Sequence, residues 1–97
     1  MQQQDLDDLI AFVQERSLEA RRAVGDPLDA GSDALYADVR RMSEALDTTL
    51  LHLAAHLLRA QELRDADLAA SFWEPLSKAA TQWDGYPGFR EEWRWVA

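Results

Sequence analysis

The sequence predicts an all-α protein: a small helical bundle of three to four helices with one long central helix. Three observations predict it. Apolar residues recur in steps of three and four along most of the chain, the spacing of one helix face. Acidic residues, glycines and prolines fall between those stretches, where helix ends call for them. No stretch alternates apolar and polar residues with the period of two that a half-buried strand requires. At 97 residues the chain is expected to form one domain, 1–97. Helices are expected at about 6–24, 33–64, 67–83 and, short, 88–95.

The first helix follows from Leu6, Leu9, Ile10, Val13, Ala20 and Val24 at helical spacing. Asp5 is its expected N-cap, with Asp7 and Asp8 against the positive end of the dipole. Arg21 and Arg22 suit the negative end. Gly25 suits a left-handed C′ residue, and Pro27 forbids continuation. Asp26 to Ser32 reads as a loop, after which Ser32 or Asp33 caps the second helix.

That second helix carries the strongest pattern. Leu35, Val39, Met42, Leu46, Thr49, Leu53, His56, Ala60 and Leu63 alternate in steps of four and three, a sustained heptad seam. Leu50 and Leu57 widen the seam on one flank, and Leu51 and Leu58 form a further stripe. The seam fails at Asp67, which places a turn or a kink near Arg64 to Asp67, although no Gly or Pro marks it and a continuous helix is compatible with the pattern. In the third helix Leu68, Phe72, Leu76, Ala79 and Trp83 share a side. Ser71 and Glu74 have capping-box spacing and Pro75 lacks an N–H, so the helix either restarts near Ser71 or kinks at Pro75. Asp84-Gly85-Tyr86-Pro87-Gly88 breaks it. Phe89, Trp93 and Val96 then share one face of a last short helix.

Composition narrows the function. The chain is 47% hydrophobic and 29% charged, a globular balance. It has no cysteine, which removes disulfides, thiol nucleophiles and Cys-based zinc sites together. Met1 to Asp8 lacks the apolar stretch of a signal peptide, and no apolar run is long enough to span a bilayer, so a cytoplasmic protein is expected. The net charge of −8, from 18 acids and 10 bases, repels phosphate and disfavours direct binding to nucleic acid or to an anionic membrane. It serves solubility, or it is an acidic face aimed at a basic partner.

No constellation supports an enzyme or calls for a cofactor. His52 and His56 lie one turn apart and are the candidate metal ligands, but the Glu that follows the first His in the metalloprotease pattern is Leu53 here. A packed interface histidine at position 56 and a surface histidine at position 52 are the better reading. The carboxylates of the N-terminal third suit caps, turns and solvated faces better than a hydrolytic pair. The serines stand in no nucleophile elbow, and there is no glycine-rich phosphate loop.

What remains is protein binding. Leu35, Val39, Met42, Leu46, Leu50, Leu53, His56 and Leu57 are the expected interface of a homo-oligomer, in which two seams would bury on the order of 1,500 Å². In the tail, Trp83, Phe89 and Trp93 read as core. Trp95 lies about 200° around the helix from Trp93, so Arg90, Arg94 and Trp95 form a second candidate patch, in residue types that anchor interfaces. The partner is a protein of unknown identity, basic if the acidic face is used.

Three stretches carry a resemblance. Asp7-Asp8-Leu9-Ile10-Ala11-Phe12-Val13 opens the chain, His52-Leu53-Ala54-Ala55-His56 lies in the middle, and Gly85-Tyr86-Pro87-Gly88-Phe89-Arg90-Glu91-Glu92-Trp93 closes it. Together they resemble a family of small actinobacterial and actinophage proteins of unknown function that ends in a box of the type HPDYREEW. The match is closest at Pro87, Arg90, Glu91, Glu92 and Trp93, with Phe89 in place of the family's Tyr. Leu57-Leu58 replaces the Asp-Pro that follows the family's second His. About a third of the chain is covered. The resemblance implies an actinobacterial or phage source and a cytoplasmic protein, and it carries no catalytic residue. It adds a second functional expectation, a phage-type inhibitor docking on a basic, nucleic-acid-binding surface of a host protein.

Overall fold

The computed structural model describes residues 2–23 and 33–96. It is all-α. Three α-helices, α1 (Gln3–Ala23), α2 (Asp33–Glu62) and α3 (Ala66–Thr81), are followed by one 3-10 turn at Glu91–Trp93, and no strand occurs among the described residues. The short helix expected over 88–95 is therefore only that single turn. The segment carries Gly88 at φ 94° and closes its turns with i→i+3 bonds such as Phe89 N–H to the Tyr86 carbonyl, 3.2 Å. A Cβ on Gly88 would sit 3.7 Å from the Phe12 ring, so space exists there and the positive φ is what favours glycine.

α1 starts earlier than expected. Asp5 donates its N–H to the Gln2 carbonyl and lies in the first turn rather than at the cap. The expectations placed on Val24, Gly25, Pro27 and Ser32 lie outside the described residues.

The junction near Arg64 is a turn. The Asp65 N–H reaches back to the Ala60 carbonyl and the Arg64 N–H to the Gln61 carbonyl, with Arg64 at φ 56°. This paired closure is the one glycine usually makes. Asp65 then caps α3, its Oδ1 accepting from the Leu68 N–H at 3.0 Å. Ser71 is accordingly no cap; it donates to the Asp67 carbonyl within α3, which runs through Pro75 without interruption.

The core joins Leu6, Leu9, Ile10, Phe12 and Val13 of α1 to Leu50, Ala54 and Leu57 of α2, Leu76 and Ala80 of α3, and Trp93 of the tail. On α2 this is the flank of the heptad seam, not its centre. Leu50 and Leu57 are 1% and 2% exposed, whereas Met42, Thr49, His56 and Leu63 are turned outward. The physical reason is composition. Two rows border the shared positions Leu46, Leu53 and Ala60. One holds Ser43, Leu50 and Leu57; the other holds Met42, Thr49 and His56. Burying the first row removes two leucines from water, each contributing about 1.5–3 kcal/mol, and spares a histidine and a threonine from desolvation. A straight helix cannot bury both rows along its whole length, so Ser43 goes in with the leucines. Its hydroxyl is satisfied by Ser17 Oγ at 2.6 Å.

Two measurements check this packing. Leu50→Ala should cost about 2–5 kcal/mol in urea unfolding, while Leu51→Ala, one residue along and 54% exposed, should change stability by less than about 0.5 kcal/mol. Equal costs would mean that α2 is rotated differently. Arg64→Gly should stabilise the fold by about 1 kcal/mol, because a side chain in the left-handed region is relieved.

Candidate functional site: the open end of the helical hairpin

α1 and α2 outrun α3. Sixteen residues of α3 lie beside the later part of α2, with the Phe72 ring stacked on His56 at 5.2 Å, and Trp83 just past its end. Beyond that point a hollow of about 310 Å³ opens between the helices, lined by Ser17, Ala20, Val39, Met42, Ser43, Leu46 and Trp83. One turn farther along α2, Leu35 is 59% exposed, and Met42 on the hollow's wall is 69% exposed. Large apolar side chains in such positions are the unusual ones on a soluble surface when they lie together.

The expected interface residues therefore divide. Val39, Met42 and Leu46 line the hollow, and Leu35 lies exposed one turn farther along α2. Leu50 and Leu57 are sealed in the core, and Leu53 packs against it half-buried, so these three face this chain's own helices and not a partner. His56 is engaged with Phe72 on the exposed side of α2. The additional wall residue is Trp83. From the sequence it read as core, and it does pack half-buried against the core while also lining the hollow.

The tail is built inward. Trp93 is 1% exposed and meets Phe12 at 5.4 Å between ring centroids, with Phe89 6.1 Å from each. Ser77 Oγ donates to the Trp93 carbonyl at 2.7 Å, and Thr81 Oγ1 accepts the Trp95 N–H at 2.8 Å. The side chains of the second candidate patch are all occupied. Arg90 pairs with Asp8 at 2.8 Å, Arg94 bridges Glu91 and Asp84, and half-buried Trp95 lies under the Lys78 ammonium. Arg90 thus ties the tail to α1 and Trp95 to α3, while Arg94 braces the tail on itself and on Asp84.

Glu91 receives two hydrogen bonds from Arg94, which hold its carboxyl below the usual value; Arg94 is correspondingly held charged by Glu91 and Asp84. His52 and His56 are both exposed, and no group of three His, Asp or Glu side chains that could hold a metal occurs among the described residues. No helix of the described residues is long and apolar enough to cross a membrane.

The Glu91 strap is testable by titration. A carboxyl with a depressed pKa contributes stability above its unfolded pKa and loses it as the pH falls through the folded one. The side-chain NMR signal of Glu91 should titrate below that of an ordinary glutamate, and Arg94→Ala should move it back up; an unmoved midpoint would break the assignment.

A comparison of the chain with family models, with curated proteins and with solved structures finds no match.

Proposed function

We propose that the chain is a non-catalytic, acidic, cytoplasmic protein-binding module or regulator, and that it acts as a homodimer joined along the uncovered face of α2. The observation that carries this reading is the hollow lined by Val39, Met42, Leu46 and Trp83, with Leu35 exposed one turn beyond it on α2. Fully covering a leucine or methionine is worth about 1.5–3 kcal/mol, so leaving these exposed costs the isolated chain, and a polypeptide laid across them recovers it. A single domain of this size buries a modest share of its surface and benefits from a second chain. The hollow offers no cluster of titratable groups that would prepare a reaction.

A second reading is favoured by the charge of −8 and the resemblance to actinophage proteins. It is an inhibitor that docks on a basic, nucleic-acid-binding surface of a host protein. Salt separates the two readings. Apolar self-association should be nearly indifferent to ionic strength, whereas an acidic mimic should lose its host target steeply as salt rises.

The dimer is checked by sedimentation velocity. The parent chain should sediment as two copies, and Leu35→Glu/Met42→Glu should give a monomer with unchanged helical circular dichroism. A folded double variant that still sediments as the parent does would rule this surface out.

A further inference from the structure

We infer that the occupant of the hollow is α2 of a second copy of this chain, running antiparallel, with Leu35 of one protomer against Leu46 of the other and Val39 against Met42. The inference rests on the self-association proposed above and adds an orientation and a register to it.

The shape of the seat comes first. α3 meets α2 from the level of Gln61 and Ala69 through the His56–Phe72 stack to Leu46, where Trp83 stands just past its end. Ahead of that end lies the trough between α1 and α2, lined by Val39, Met42 and Leu46 of α2 and by Ser17 and Ala20 of α1. Among the described residues no third helix lies along this stretch. What fills a trough between two helices is a helix with apolar residues in steps of three and four.

The first part of α2 is such a helix. Leu35, Val39, Met42 and Leu46 follow steps of four, three and four. Three of them, Val39, Met42 and Leu46, line the trough, and Leu35 extends the same face by one turn, so one surface is both seat and occupant. That self-complementarity is what a two-fold interface requires. Antiparallel packing pairs the alternate positions of such a seam. Here it gives four layers, Leu35–Leu46 and Val39–Met42 and their two symmetry mates, about a two-fold axis between Arg40 and Arg41.

Charge selects the direction. The segment Asp33–Leu46 holds three acids against two bases, although the whole chain carries −8, so the excess that drives two copies apart lies elsewhere. Asp38 and Arg41 flank the seam, exposed, and pair within the helix at 2.9 Å. In the antiparallel register Asp38 of one copy lies within about 3 Å, two residues of helix rise, of the level of Arg41 of the other. A parallel pair would set Asp38 beside Asp38 and Arg41 beside Arg41. Two helices meeting over this length, with Trp83 and Ala20 at the rim, bury on the order of 1,000 Å², enough for a specific though not obligate contact.

The absence of cysteine makes the test direct. Leu35→Cys and Leu46→Cys variants are prepared separately, and each carries the only thiol of its chain. Both are oxidised alone and as a mixture under conditions where the parent sediments as a dimer. Only the mixture should form a disulfide-linked pair. In the antiparallel register two copies of residue 35, or of residue 46, lie about 16 Å apart, beyond disulfide reach. Linkage within each variant alone would mean a parallel pair. A sedimenting dimer with no linkage in any sample would place the contact on another face. Either result overturns the register while leaving self-association in place. A parent that sediments as a monomer removes both, and leaves the trough to a different polypeptide.

Discussion

A rigid helix has one rotation, and in α2 that single choice arranges the rest of the molecule. The row Ser43, Leu50, Leu57 and the row Met42, Thr49, His56 compete for the interior. The leucines win because a buried histidine or threonine must find a partner and a buried leucine need not. Once Leu50 and Leu57 point inward, Met42 points out and Ser43 points in. The Ser17–Ser43 hydrogen bond follows from this choice, since it satisfies a hydroxyl that the core would otherwise have excluded.

Helix length turns that rotation into a surface. Thirty residues of α2 stand against sixteen of α3, so among the described residues α3 accompanies one part of α2 and not the other. The resulting molecule is elongated, 52 × 24 × 24 Å. The tail does not mend the gap. It is committed elsewhere by the Trp93 ring against Phe12, by the Ser77 and Thr81 hydroxyls, and by Arg90 on Asp8. Phe89 and Trp93 are thus consumed in packing on Phe12 of α1, while Trp83 is left at the hollow. The uncovered apolar residues are left at the far end of the hairpin. Rim polarity there is mixed, with Asp38 and Arg41 side by side, so what the surface selects is shape and apolar area more than charge.

Some of this was legible in the sequence. The three-four periodicity of Leu6 to Val13 and of Leu35 to Ala60 states that these stretches are helical and one-sided, because an apolar stripe at that spacing is useful only on a helix. The failure of the seam at Asp67 marks a change of direction nearby. The residues now lining the hollow or one turn beyond it, Leu35, Val39, Met42 and Leu46, could be named from spacing alone. Composition likewise determined that disulfides and cysteine-based chemistry are out of reach. The tertiary structure decided the rest. It chose which flank of the seam is core, since both flanks have helical spacing and only the relative cost of burying leucine or histidine ranks them. It assigned Arg90, Arg94 and Trp95 to intramolecular contacts, since Asp8, Asp84 and Lys78 are distant in sequence or hidden by turns that periodicity does not describe. It placed the hollow as well, because a hollow exists where one helix stops beside another, and which part of α2 lies beside the end of α3 is set by packing and not by any residue pattern along α2.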